Sequence, residues 1–284
     1  MTVFKNKQIL IMIISAFVSL NARAKIETVL GTPLASNQNL PGTFPSSADS
    51  EIILSRNEFV ISYNKVRRSP NWVAWKLEAS NLGKAPRVNA FDRDVELAQY
   101  LKANGNQYQA AETSDYDNSC FDRGHQSPSA DHSNNPSSNK ASFVMTNIIP
   151  QTAFLNRVIW EHLEKYTRDV VVKQNKKAYI IAGPIYDEDF GAIGPQKNIP
   201  VPSKNYKIII FLDKKQTWKD IDQNTEILAV VMPNVELDGS KPLVGGPCKD
   251  FVISKEDTSD WKNYTSSVPE IQRLTGTTIF SKLP

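Results

Sequence analysis

"CFDRGHQSPSADHS", residues Cys120 to Ser133, sets an acid, a guanidinium, a glycine and an imidazole side by side at Asp122-Arg123-Gly124-His125, in a chain of 284 residues with only three histidines. Shortly after it comes "TNIIPQTAFLNRVIWEHLEKYTRD", Thr146 to Asp169. Leu155, Val158, Ile159, Leu163 and Tyr166 recur there at helical spacing, so a helix is predicted from about Thr152 to Arg168, beyond a break at Pro150. Asn147 and Gln151 flank the break, Asn156 falls in the first turn of the helix, and Glu164 two turns later. In a straight α-helix the last two differ by about 80° around the axis and about 12 Å along it, too far to hold one ion together. Helical side chains tilt toward the N-terminus, so Glu164 leans back toward Asn156 and can reach the water shell of an ion held there. An amide oxygen plus waters is a hard, oxygen-only environment that suits Mg2+, with Mn2+ undecided against it.

Outward from this pair of stretches, strand-like runs occur at Phe59–Tyr63, Trp72–Leu77, Phe143–Met145, Ala178–Ala182, Tyr206–Leu212 and Ile227–Val231. Trp72 and Trp75 alternate with Val73 and read as core. Val95 to Ala103 is predicted helical and ended by Asn104-Gly105, whereas Gly105 to Lys140 is polar and loop-like. Near the end, Ser267-Val268-Pro269-Glu270 has capping-box spacing, and Gly276 can close the helix that follows. Strands and helices alternate irregularly, with hairpin-like pairs early and late. That pattern predicts an α+β fold, a single domain on a mixed, largely antiparallel central sheet.

The N-terminus carries a different signal. Lys5 and Lys7 precede an apolar run from Ile9 to Leu20, followed by Ala22-Arg23-Ala24, so residues 1–24 read as a signal peptide; the run is too short for a permanent membrane span. Residues 25–50 are expected to be a flexible lead-in and 51–284 the folded domain. Removal of residues 1–24 takes away Lys5, Lys7 and Arg23 and no acids, leaving 30 basic residues against 30 acidic ones. Attraction for a polyanion must then come from local clustering, as in Arg67, Arg68, Lys84, Arg87 and Arg93, of which one or two are expected to touch nucleic acid. Two cysteines, Cys120 and Cys248, in an exported chain favour one long-range disulfide over two buried thiols. A secreted or periplasmic location follows from the same features.

With order and spacing in view, residues from about Leu54 to Pro284 resemble the sugar-non-specific DNA/RNA endonuclease family, whose ββα-metal active site carries Asp-Arg-Gly-His, an Asn-x-x-Pro-Gln segment and an Asn-to-Glu helix. Here these read "DRGHQSPSAD", "TNIIPQ" and "NRVIWEHLE", with further matches at "PNWVAWKL", "AGPIYD", "VPSKNYKIIIF" and "RLTGTTIFSKLP". The resemblance implies His125 as the general base, Asn156 as the direct protein ligand of the metal, and Glu164 against the ion's water shell. It further implies Arg123 facing the phosphate, Asn147 supporting the metal and His125 region, and Gln151 close by. Arg87, in "RVNAFDRD", takes the place of an upstream family arginine, with Arg93 as its competitor. Asp122 is assigned to shaping the turn and the outer shell, and His132 stands where the family often has an apolar residue.

The implied chemistry is hydrolysis of DNA and RNA phosphodiester bonds by one divalent ion and one imidazole, with 5′-phosphate products and no base reading. Two other readings stay open. One is a homologue that binds nucleic acid without cutting it. The other is a secreted zinc hydrolase using His125, His132 and His162, although no His-Glu-x-x-His helix is present. A serine esterase lacks its Gly-x-Ser-x-Gly elbow. The chain is expected to be a monomer or a homodimer.

Overall fold

Apolar runs too long for one-sided burial dictate the centre of the molecule. The computed structural model describes residues 26–40, 51–246, 248, 251–252 and 260–279. Strands are β1 (Ile26–Gly31), β2 (Glu51–Ser55), β3 (Val60–Asn64), β4 (Ser69–Leu77), β5 (Asp122–His125), β6 (Ile148–Gln151), β7 (Lys176–Ile185), β8 (Ala192–Ile193), β9 (Ile199–Pro200), β10 (Lys204–Asp213) and β11 (Glu226–Pro233). Helices are α1 (Val95–Ala103), α2 (Pro136–Ala141), α3 (Glu161–Lys173) and α4 (Val268–Thr275). The main sheet runs β1-β2-β3-β4-β7-β10-β11. Its β1–β2 pair is parallel and its other pairs antiparallel, the mixed α+β arrangement expected.

Both faces of this sheet are covered, which is why its strands read as near-continuous apolar segments. Val73, Trp75, Ile180, Ile209 and Phe211 face a core shared with Leu97 and Leu101 of α1 and Leu163, Val170 and Val171 of α3. Trp72, Ala74, Ile181, Ile208 and Ile210 face the other core, which includes Ile271 of α4. Trp72 and Trp75 thus sit on opposite faces, both fully buried. The C-terminal helix has the termini its sequence specifies: the Ser267 side chain accepts from the Glu270 N–H, and Gly276 closes the helix with φ 65°. Among the described residues no helix is long and apolar enough to cross a membrane, and the expected signal peptide at 1–24 lies outside the described residues.

Four expectations are corrected. Residues 26–40, assigned to a flexible lead-in, are built into the fold. β1 extends the sheet beyond β2, Asn37 donates to Ser55 Oγ (2.8 Å) and the Arg56 carbonyl (2.9 Å), and Asn39 donates to the Asn57 carbonyl (2.9 Å). Residues 25 and 41–50 of that stretch lie outside the described residues. Phe143–Met145 is not a strand. It makes an isolated parallel bridge between Val144 and Asp92 instead of joining a sheet, and the chain then tightens into a 3-10 turn, Met145–Asn147. The strand is the next segment, β6, and Pro150 is tolerated there because β6 pairs on one side alone. The polar region 105–140 contains β5 and α2, whose cap is Asn135 accepting from the Ser138 N–H. Finally, the helix after Pro150 begins as a π-helical turn, Leu155–Trp160, before continuing as α3.

Candidate active site

β5, β6 and the π–α3 helix form a ββα unit. β5 and β6 are antiparallel, with Asp122 opposite Gln151, Gly124 opposite Ile149 and His125 opposite Ile148. The glycine of the tetrapeptide is dictated by packing: a Cβ at Gly124 would collide with the fully buried Gln151 side chain. Asn147 is also fully buried, and its amide is spent on backbone, donating to the carbonyls of Ser127 and Ser142 (2.8 Å each) and accepting from the Ser127 N–H (2.9 Å). It pins the chain that follows His125. The disulfide joins Cys120 to Cys248, two residues before Asp122.

Above this unit a cavity of about 320 Å³ is lined by Arg87, Arg123, His125, Pro128, Ser129, Asn156, Arg157, Glu161 and Glu164. The cavity therefore brings together five of the residues singled out from sequence, from three separate stretches. Arg87 lines it, donating to Ser129 Oγ (2.6 Å) and lying 4.9 Å over the Phe143 ring. Arg93 does not; it is exposed, 3.4 Å from Glu112. Arg123 donates to the Thr113 carbonyl (3.1 Å) and lies 5.5 Å over Phe91. Asn147 and Gln151 stay beneath the cavity wall. The i→i+5 bonding of the π turn also matters, because each residue then advances by less than 100° and Asn156 moves toward the azimuth of Glu164.

Asp122 fixes the orientation of Asn156. Its Oδ2 accepts from Asn156 Nδ2 (2.8 Å), and both its oxygens accept from Arg157 (2.7 and 2.6 Å). A carboxylate can only accept, so the Asn156 amide must present nitrogen to Asp122 and keep its oxygen for another partner. An amide oxygen beside a carboxylate in one polar cavity is an oxygen donor set that fits a hard divalent ion. Among the described residues no group of three or more His, Cys, Asp or Glu is placed to hold a metal, which tells against the zinc trio. His162 is exposed on α3, and His132 is buried with Nε2 2.7 Å from Ser127 Oγ.

The His125 ring packs edge-on against Phe143 (centroids 4.8 Å apart) and tilted against Phe91 (5.3 Å), and the Trp160 indole donates to its carbonyl (3.3 Å). Its Nε2 is buried and has no hydrogen-bond partner among the described residues. Burial pushes the imidazole down to about 3, with Arg87 and then His132 adding to the effect, so the ring is neutral at pH 7. Burial likewise pushes His132 down to about 4, opposed by Asp131. Both histidines bind a proton more readily unfolded, near pH 6.5, than folded. Their contribution to stability is full above about pH 6.5 and is lost as pH falls, toward about 4 for His132 and about 3 for His125, at up to about 1.4 kcal/mol per pH unit for each ring. His132→Phe, measured by urea unfolding in EDTA between pH 7.5 and 5, is expected to show a shallower acid slope than wild type. Parallel curves would contradict the assignment.

Arg157, Glu161 and Ser129 on the cavity wall, and Arg168, Asp131 and Lys207 behind Glu164, are absent from the site residues expected from sequence. Arg157 adjoins Asn156, and Arg168 stands four residues after Glu164, on the same helical face, so both had a positional signal.

Known proteins resemble the chain over most of its length. A family model described as DNA/RNA non-specific endonuclease matches residues 35–284. A nuclease from Nostoc sp. is 35% identical over 228 residues, covering 79% of this chain and 71% of that one. The mitochondrial nuclease of Saccharomyces cerevisiae is 27% identical over 244 residues, 81% of this chain and 66% of that one. Human mitochondrial endonuclease G is 26% identical over 198 residues, 66% of this chain and 62% of that one. In the crystal structure of the EndoG/EndoGI complex, one chain superposes with a TM-score of 0.65 at 22% identity, over 90% of this chain and 95% of that one.

Proposed function

The chain belongs to the DNA/RNA non-specific endonuclease family and is a nuclease, and from that premise we propose an exported enzyme that uses one divalent ion, Mg2+ or Mn2+, to cut DNA and RNA without sequence preference and leave 5′-phosphate ends. The observation that carries this reading is the single cavity shared by His125, Asn156, Glu164, Arg87 and Arg123.

In this reading His125 takes the proton of the attacking water. Its neutral ring supplies the lone pair, and a phosphate arriving in the cavity brings negative charge that favours the imidazolium, raising its basicity when it is needed. Arg123 and Arg87 donate to the non-bridging oxygens, where charge grows in the transition state. Asn156 would offer its amide oxygen to the ion and Glu164 its carboxylate to the ion's water shell, and Asp122 holds the Asn156 amide in the required orientation. The ion, when bound, supplies positive charge to the phosphate and acidifies water near the departing sugar oxygen. These groups address the backbone and not base edges, which supports sequence tolerance. Export is supported by the Cys120–Cys248 bridge, a bond kept in oxidising compartments.

Purified protein incubated with plasmid and with RNA tests the reading directly. Both substrates are expected to be degraded with Mg2+ or Mn2+, to survive in EDTA, and to be cut again when Mg2+ is returned. Intact substrates with either ion favour a binding homologue, and restoration by Zn2+ alone favours the zinc alternative.

A further inference from the structure

The sheet contains a charge that packing does not require. Lys207 lies in the middle of β10, between Ala182 of β7 and Val230 of β11, and its side chain is 1% exposed. Its Nζ is 3.3 Å from Oε1 of Glu164, 4.0 Å from the Trp160 ring centroid and 5.6 Å from that of Trp75. A second pair lies beside it. Arg168 is 3.0 Å from Asp131 Oδ1, and Asp131 Oδ2 accepts from the Trp75 indole (2.9 Å). Two cations thus face two carboxylates in a nearly dry layer between β4, β10 and α3. Only Glu164 of these four lines the active-site cavity.

Stability alone gives poor reason for this arrangement, because apolar residues of equal volume commonly replace a buried ion pair at no cost. Breaking such a pair is different: it strands one charge. A carboxylate that must reach a cavity through an apolar wall therefore needs a fixed countercharge behind it, and two aromatic faces hold that countercharge still. Glu164 Oε1 is committed to Lys207, which leaves Oε2 for whatever the cavity binds.

We propose that Lys207 is a positioning residue: it anchors the Glu164 carboxylate so that its other oxygen serves the outer sphere of the divalent ion. The inference rests on the function proposed above. The test is Mn2+ titration by calorimetry at one fixed pH on wild type, Lys207→Met, Glu164→Gln and the double variant, with melting temperatures to check folding. Lys207→Met is expected to weaken Mn2+ binding about 10- to 100-fold, the usual cost of losing an outer-shell partner. In the Glu164→Gln background the same change should alter affinity by less than about 2-fold, because the two act as one unit. Turnover at saturating polynucleotide should fall while KM holds. Mn2+ affinity unchanged in Lys207→Met, or losses that multiply in the double variant, would overturn the assignment. If Lys207→Met does not fold, Lys207→Gln carries the same comparison. A wild-type protein that binds no Mn2+ overturns the proposed function itself, and the Lys207 role with it.

Discussion

His125→Ala is expected to lower turnover by about 10²- to 10⁴-fold, the range attributed to a positioned general base. The loss should fall on kcat with little change in KM, because the groups proposed to hold the phosphate, Arg87 and Arg123, remain in place. The fold should survive. His125 touches Phe143 and Phe91 at the edge of a cavity, and its Nε2 satisfies no buried partner, so truncation removes contacts without stranding a polar group. Near-UV circular dichroism and the melting temperature report on the fold, and single-turnover cleavage of plasmid at saturating Mg2+ reports on chemistry. Near-native turnover would remove His125 as the base and would direct attention to water activated by the ion alone. A variant inactive only because it is unfolded would show itself in the melting curve.

Much of the site was legible in the sequence because its chemistry-bearing residues cluster in two short stretches, and local spacing orders such residues well. Gly124 next to His125 and Asn156 before Glu164 needed no tertiary knowledge to be noticed. The central strands were legible for a similar reason: burial on both faces leaves apolar runs such as Ile208–Leu212, whose boundaries shift by only a few residues. The π turn at Leu155–Trp160 was not, since one widened turn leaves Leu155, Val158 and Ile159 on the buried side and the apolar rhythm intact. Phe143–Met145 failed differently. Three apolar residues carry no period, and the Asn147 side chain, by taking up the backbone of Ser127 and Ser142, sets a turn where propensity suggested a strand. β1 was hidden by its place next to an expected cleavage site. Lys207 did leave a trace, a basic residue directly before the apolar run Ile208–Leu212, but its partner is 43 residues away on α3, a pairing that only tertiary structure reveals.

Asn156→Ala separates the ligand role from every structural one. The Asn156 amide makes its hydrogen bond to Asp122, and Asp122 keeps both bonds from Arg157 when that amide is removed. The hairpin and the first turn of the helix should therefore hold, with a melting temperature near that of wild type in EDTA. Metal affinity should not hold. Loss of an outer-shell partner commonly costs 10- to 100-fold, so loss of the direct protein ligand is expected to cost at least about 100-fold in Mn2+ affinity and to abolish the stabilisation that Mn2+ gives wild type. Cleavage at ordinary Mg2+ should fall by a similar or larger factor and recover in part at high Mn2+. Asp122→Asn supplies the graded comparison. An amide at 122 can donate as well as accept, so it no longer forces the Asn156 amide to turn its oxygen away, and part of the population is misoriented. Its affinity is expected to lie between wild type and Asn156→Ala. A metal requirement unchanged by Asn156→Ala would refute the ligand assignment, and the Asp122 comparison would then have to be explained through Arg157 alone.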